Sequence, residues 1–298
     1  MAFKQVTIIG TGLIGGSLGL ALKKRRLAGR IVGCDRAPAL KRARECGAIE
    51  SGAVNPADAV RGSDLVVLAT PVLPILDLIN LIGRLGPVML SKTLVTDVGS
   101  TKLQIVERAA KSFGRNAGQR FLAGHPMAGK EHAGVEFADA DLFEGAAWLF
   151  TPLPGQNINA GLCGEFIHCA EKMGARIAVL DAADHDRFCA WISHLPQMIS
   201  TALAAALVDE FGPDAPVLDI GGRALGEMTR ISGSPYSMWR DIAISNKKNL
   251  ADALLKLEQR LAHIRENLDS RELAAEFERA HELKKNSPRR HGDTEKSS

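Results

Sequence analysis

Val6-Thr7-Ile8-Ile9-Gly10-Thr11-Gly12-Leu13-Ile14-Gly15-Gly16-Ser17 decides the architecture of this chain. A short apolar run stops at Gly10, glycines recur at 12 and 15 in a G-x-G-x-x-G spacing, and apolar residues resume at Leu18, Leu20, Ala21 and Leu22. That order spells a buried strand, a tight turn at Gly10, close backbone approach at Gly12, and a helix packed on the strand through Gly15. The free N–H groups of the helix start, at Leu13 and Ile14, and its positive dipole end form a site for a pyrophosphate. A second strand, Arg30-Ile31-Val32-Gly33-Cys34, ends at Asp35, twenty residues past Gly15, where a carboxylate meets adenosine ribose hydroxyls. A glycine turn alone is common. Strand, turn, helix, second strand and acid in this order predict a dinucleotide site.

Outward from that stretch, strand and helix keep alternating. Helices are expected over 37–45, 72–85, 101–113 and 162–173, and strands over 65–69, 88–95, 120–123, 146–151 and 176–180. The pattern predicts a doubly wound, mostly parallel Rossmann-type sheet, covered on both faces, over residues 1–181. From Ala182 the strands cease, and an all-α C-terminal domain is expected over 182–285, with a disordered tail over 286–298. There, 183–208 reads as one helical pattern that Pro196 should kink or end. Leu250, Leu254, Leu257, Leu261, Ile264 and Leu268 form a narrow seam that calls for a partner surface, which predicts a homodimer.

The chain has 298 residues, 46% hydrophobic and 24% charged, enough to bury a sizeable core in two domains. A net charge of +3 with interspersed signs argues for neither a nucleic-acid nor a membrane partner. Five cysteines show no C-x-x-C pair and no metal-ligand spacing, which predicts reduced thiols and no metal. With no signal-peptide pattern and no apolar run of membrane-spanning length, the protein is expected in the cytoplasm.

Ligands of such a sheet bind at the carboxyl ends of its strands. Thr70-Pro71, Asp97-Val98-Gly99-Ser100 and Gly124-His125-Pro126 all fall there, and Thr70 and Pro71 lie where a cofactor would pass. Ser100 and His125 on adjacent loops can orient a substrate hydroxyl and take its proton while hydride leaves. Imidazole suits this because it is neutral and basic near pH 7. Ser100 has a second reading, as a cap for the helix at Thr101. Asp35 favours NAD over NADP by accepting from both ribose hydroxyls and repelling a 2′-phosphate, although Arg36 beside it can stack on adenine or pair with a phosphate.

Five stretches together resemble the prephenate and arogenate dehydrogenases of tyrosine biosynthesis. They are Gly10 to Ser17, Thr96 to Lys102, Gly124 to Gly129, Ser193-His194-Leu195-Pro196, and Thr229-Arg230-Ile231 with Trp239-Arg240-Asp241-Ile242. The resemblance implies NAD-linked oxidative decarboxylation of a cyclohexadienyl ring. It makes His125 the catalytic histidine at the ring hydroxyl, Ser100 its orienting partner and Arg230 the holder of a substrate carboxylate. It also places His194, Gln197, Glu131 and Glu227 in the substrate pocket, and it matches His185, which reads as structural. Many prephenate-specific members have a second histidine where this chain has Gln197, so the lean is to arogenate or to both substrates. Two alternatives are a β-hydroxyacid-type dehydrogenase using Lys247 or Lys248 and a non-catalytic NAD-binding redox sensor; neither explains Ser100, His125 and His194 together.

Overall fold

The computed structural model describes residues 2–86 and 92–286. Its first element, β1 (Phe3–Ile9), is buried along its apolar run, and α1 (Leu13–Lys24) follows after the glycine turn. Next come β2 (Ala28–Cys34), α2 (Ala37–Glu45), the short β3 (Ser51–Ala53) and α3 (Pro56–Ala59). β4 (Leu65–Leu68), α4 (Val72–Arg84), β5 (Leu94–Asp97) and α5 (Leu103–Phe113) extend the alternation. α6 (Ala117–Arg120), β6 (Phe121–Pro126), β7 (Ala147–Thr151), α7 (Gly161–Lys172) and β8 (Arg176–Val179) complete the sheet region. The eight strands run in the order β3-β2-β1-β4-β5-β6-β7-β8. All pairs are parallel except β6 with β7, which is antiparallel with His125 opposite Leu149.

Because every residue of β4 is buried, its side chains feed both sheet faces in turn. Val67 joins Phe3, Ile8, Leu18, Trp148 and Phe166 on one side, whereas Val66 and Leu68 join Ile75, Ile79, Ile105 and Phe121 on the other. The strand order reverses between β1 and β4, and that switch point is where such sheets hold ligands. The strand expected over 88–95 is realised as Leu94–Asp97; residues 88–91 lie outside the described ones. Neither β3 nor α3 was expected. Both are too short to carry a periodic signal.

Helices follow from α8 (Ala182–Cys189), which Asp181 caps by accepting from Ala183 N–H. Of the two outcomes expected at Pro196, a kink and an end, the end does not occur. A five-residue π turn, Ala190–His194, leads directly into α9 (Leu195–Phe211). Pro196 falls in the first turn of α9, and the wider turn before it absorbs the strain that a proline ring puts on a helix. The result is one helical stretch, Ala182–Phe211, that is long and apolar enough to cross a membrane by length and composition, which corrects the expectation of none. Its buried side, however, carries His185, Asp186, His194 and Gln197, all hydrogen-bonded within the protein, so this side is a packed face rather than a lipid-facing one. Then come a 3₁₀ turn (Pro216–Gly221), α10 (Gly222–Thr229), a 3₁₀ turn (Arg230–Gly233), α11 (Tyr236–Ser245) and α12 (Lys247–Glu266).

Residues up to Leu250 form one compact unit, and a second begins at Ala251. The second contains most of α12 and α13 (Arg271–Asn286), joined by Arg260 on Glu276 at 2.6 Å. Of the leucine seam, Leu250 is buried, while Leu261 and Leu268 expose more than half their surface. The tail expected to be disordered lies, after Asn286, outside the described residues.

The glycine turn shows why three glycines are needed for different reasons. Gly10 sits at φ +97°, and a Cβ there would lie 2.5 Å from Ala69 O; a Cβ on Gly15 would lie 2.0 Å from Gly10 O. At Gly12 a Cβ meets nothing within 4 Å. Gly15→Ala should therefore cost about 2 kcal/mol or more of stability, read as a lowered thermal midpoint. Gly12→Ala should leave that midpoint in place and weaken dinucleotide binding instead.

Candidate active site

The cofactor half of the site follows from β1, β2 and β4. A cleft of about 540 Å³ is lined by Gly10, Asp35, Arg36, Val54, Thr70, Pro74 and Leu78, among others. Asp35 stands at the end of β2; its Oδ2 accepts from the N–H and hydroxyl of Thr11 at 2.8 and 3.0 Å, and its Oδ1 from Arg36 N–H. This carboxylate thus braces the glycine turn while lining the cleft. Thr70 is half-buried on the cleft wall, and Pro71 is the N-cap residue of α4. Gly12 caps α1 with no side-chain bond, so the first-turn N–H groups at Leu13 and Ile14 have no capping side chain. Open space over Gly12, orphan helix donors and an apolar-walled cleft ending in a carboxylate fit a dinucleotide's pyrophosphate, adenine and ribose.

The chemical half is built where β5 and β6 end side by side. Asp97, the last residue of β5, and Lys102 form an ion pair with both side chains fully buried. Asp97 also accepts from the N–H groups of Gly99 at 2.8 Å and Gly124 at 3.2 Å, and Lys102 Nζ donates to Gly124 O at 2.8 Å. Two of these contacts hold the N–H and the carbonyl of Gly124, immediately before His125. Burial pushes Asp97 up and Lys102 down, and each charge opposes the shift of the other.

Asp186, on α8, reaches back across the sheet. Its two oxygens accept from Lys102 N–H at 2.6 Å and Leu103 N–H at 3.0 Å, capping α5 from a distant element. The cap reading of Ser100 is corrected: α5 starts at Leu103, not Thr101, and Asp186 takes its first N–H groups. Ser100 remains half-buried between the two strand ends.

A directional chain then runs from Asp186 to His125. Asp186 Oδ1 lies 2.9 Å from His185 Nδ1, and His185 Nε2 lies 2.9 Å from His125 Nδ1. An ionised carboxylate only accepts, so His185 donates from Nδ1 and its Nε2 is the acceptor. His125 must then donate from Nδ1, which leaves its Nε2 with a lone pair. Burial, with His185 and Lys102 nearby, holds His125 well below 6.5 and therefore neutral.

His194 shows the opposite polarity. Asn246 donates to its Nδ1 at 3.2 Å, so Nε2 carries the proton, and this buried N–H makes no hydrogen bond of good geometry among the described residues, although the Ser100 carbonyl lies near enough to pull His194 up. Burial pushes His194 down to about 4, against the pull of Asp186. His125 Nε2 is thus an acceptor and His194 Nε2 a donor, both on buried side chains.

The remaining candidates divide. Arg230, opening its 3₁₀ turn, is ion-paired with Glu131. Gln197 is buried, and its amide donates to Ile231 O at 2.8 Å and Thr201 Oγ1 at 3.2 Å, tying the Arg230 turn to α9. Glu227 is exposed on α10. Lys247 and Lys248 open α12 with exposed side chains. Sequence reasoning missed Asp97, Lys102, Asp186 and Asn246, and it read His185 as structural, whereas His185 holds His125 directly. The usable signal was Asp184-His185-Asp186 at a helix start, a histidine flanked by carboxylates.

A dinucleotide cleft at a topological switch point, with a neutral histidine near the carboxyl end of a strand of the same sheet, defines a nucleotide-dependent dehydrogenase with a helical second half. Residues 18–179 match the prephenate dehydrogenase nucleotide-binding domain, and residues 181–282 match the prephenate dehydrogenase dimerization domain. The prephenate dehydrogenase of Lactococcus lactis subsp. cremoris is 31% identical over 269 residues, covering 86% of this chain and 72% of that protein. A crystal structure of the A. aeolicus prephenate dehydrogenase, in complex with hydroxyphenyl propionate and NAD+, superimposes with a TM-score of 0.80 at 29% identity, covering 95% of each chain. Synechocystis arogenate dehydrogenase gives 0.71 at 26% identity, covering 94% of this chain and 99% of that one. The chain belongs to the prephenate dehydrogenase family. It is an oxidoreductase of tyrosine biosynthesis that couples oxidation of a cyclohexadienyl ring to loss of carbon dioxide.

The neutral, buried histidines carry a stability signature. His125, His185 and His194 all have folded values below their unfolded one near 6.5. The unfolded chain then binds more protons below that pH, so their contribution is fully present above about 6.5 and is lost as pH falls toward 4. The thermal midpoint should drop steadily between pH 7 and pH 5, and His194→Asn should flatten that slope in a fluorimetric melting series.

Proposed function

We propose that this protein uses NAD to oxidise and decarboxylate arogenate, prephenate or both, with His125 as the group at the ring hydroxyl. The observation that carries this reading is the Asp186–His185–His125 chain, which leaves His125 Nε2 as a lone-pair acceptor. When bound, the nicotinamide supplies the hydride acceptor. The substrate's ring hydroxyl donates to Nε2. As the ring carbon gives up its hydride, positive charge grows on that hydroxyl, and the imidazole stabilises it. Loss of carbon dioxide returns an electron pair to the ring, which becomes a phenol and keeps its proton. An imidazole held well below its usual pKa suits this role, because it accepts a strong hydrogen bond without retaining the proton. Ser100 orients the hydroxyl from the neighbouring strand end.

Arg230 takes a substrate carboxylate. Its guanidinium has five donors, so the pairing with Glu131 leaves others available. His194 offers its Nε2–H, beside the Ser100 carbonyl, to the ligand, and Glu227, exposed on α10, is a further polar group for it. Gln197 spends its amide donors on Ile231 and Thr201, so only its carbonyl oxygen remains to meet a side chain. An acceptor suits the ammonium of arogenate better than the keto oxygen of prephenate. Asp35 favours NAD over NADP, with Arg36 against the adenine side.

Domain boundaries follow the same reading: dinucleotide binding over 1–181, and substrate binding with dimerisation over 182–285. A homodimer is supported by the apolar side chains that helices of this half leave exposed, among them Ile192, Phe211, Met228 and Ile244. Such an enzyme works as a soluble protein of the cytoplasm.

Two measurements test this function. His125→Asn should lower turnover about 10²-fold or more while NAD binding, followed by fluorescence titration, stays intact; unchanged turnover refutes the assignment. NADH formation with arogenate and prephenate side by side should give arogenate a catalytic efficiency equal to or above that of prephenate, and a clear prephenate preference overturns the reading of Gln197.

A further inference from the structure

We propose that His125, His185 and Cys189 form a latent site for a thiophilic divalent cation, zinc above all, and that its binding switches the dehydrogenase off. All three residues are buried, with potential ligand atoms within 4.8 Å of one another. His125 Nδ1 and His185 Nε2 are 2.9 Å apart, and Cys189 Sγ lies 3.6 Å from His185 Nε2 and 4.0 Å from His125 Nδ1. Zinc with Zn–N near 2.0–2.1 Å and Zn–S near 2.3 Å needs ligand-to-ligand edges of about 3.3 to 3.6 Å. Opening the imidazole contact by about 0.4 Å and drawing Cys189 Sγ toward His125 Nδ1 by about as much therefore closes a tetrahedral face.

Two further features belong to a metal site. His185 donates from its outer nitrogen to Asp186, the carboxylate–histidine arrangement that orients and strengthens a metal-bound imidazole. Charge also balances. Two positive charges from zinc meet the Cys189 thiolate and the Asp186 carboxylate, while Lys102 is already neutralised by Asp97. Without metal, burial pushes the Cys189 thiol up to about 12, so it is protonated and inert. Coordination removes that proton to solvent. The ligands come from β6 and from one turn of α8, which is why cysteine spacing along the chain gave no hint of them.

The switch rests on the role proposed for His125. Metal on Nδ1 displaces the proton there to Nε2, turning the acceptor that meets the substrate hydroxyl into a donor. The same atoms that set the active tautomer would set the inactive one.

Cobalt provides a readout that needs no substrate. Titrating Co²⁺ into the full chain should give one ion per chain and a near-ultraviolet thiolate-to-metal absorption band, and Cys189→Ser should lack it. Zinc should suppress NADH formation and EDTA should restore it. Cys189→Ser should need about tenfold more zinc or beyond for the same suppression, and Cys189→Ala, a second small replacement, should behave alike. A band that persists in both variants, no band in the wild type, or equal zinc sensitivity in all three proteins overturns the proposal. Because the band is read without turnover, its failure is distinct from failure of the His125 assignment.

Discussion

The buried pair of Asp97 and Lys102 holds this site in place. Two charges with no exposed surface survive because they are paired and further hydrogen-bonded: Asp97 accepts from Lys102, Gly99 and Gly124, and Lys102 donates onward to Gly124 O. Removing one partner of such a pair typically costs about 3 to 5 kcal/mol, because the other is left charged and unpaired. Here the constraint is also positional. β5 and β6 are fastened at their carboxyl ends, one residue before His125. A side chain on Gly124 would crowd this arrangement, since a Cβ there would lie 3.0 Å from Trp148 Nε1 and 3.2 Å from Asp97 O.

A second layer transmits this order to the helical half. Asp186 caps α5, orients His185, and through its own carbonyl receives Asn246, whose amide also meets His194. Stability and chemistry therefore share the same hydrogen bonds. Of the donors that satisfy Asp186, His185 and Asn246 also set the tautomers of His125 and His194.

Much of this was legible in the sequence, for reasons that can be named. Val6 to Ile9 and Leu65 to Leu68 are short apolar runs with turn residues after them, and parallel strands buried on both faces have no other appearance. The glycine spacing located the cofactor cleft, and His125 at a strand end located the chemistry. The polar web was hidden because its partners are far apart: His125 and His185 are separated by 60 residues, and Asp186 lies 84 from Lys102. A lysine immediately before a helix reads locally as a solvated charge, and only the fold reveals that Lys102 has no access to water. α10 and the Arg230 turn escaped notice because glycines at 221, 222, 226 and 233 break any periodic signal. Pro196 misled in the other direction, since its effect on the helix is absorbed by the turn before it.

That π turn has a geometric consequence. Along an unbroken α-helix each residue advances the chain by about 100°, so nine residues would carry His194 to the side opposite His185. The wider turn at Ala190–His194 spends an extra residue without the matching rotation and brings the two imidazoles toward a common sector, one under His125 and the other under Asn246. Phase, rather than position in the chain, is what this stretch conserves for the pocket. Shortening it by a single residue would leave the composition of the helix almost intact and turn everything after it, His194 and Gln197 included, away from the ligand.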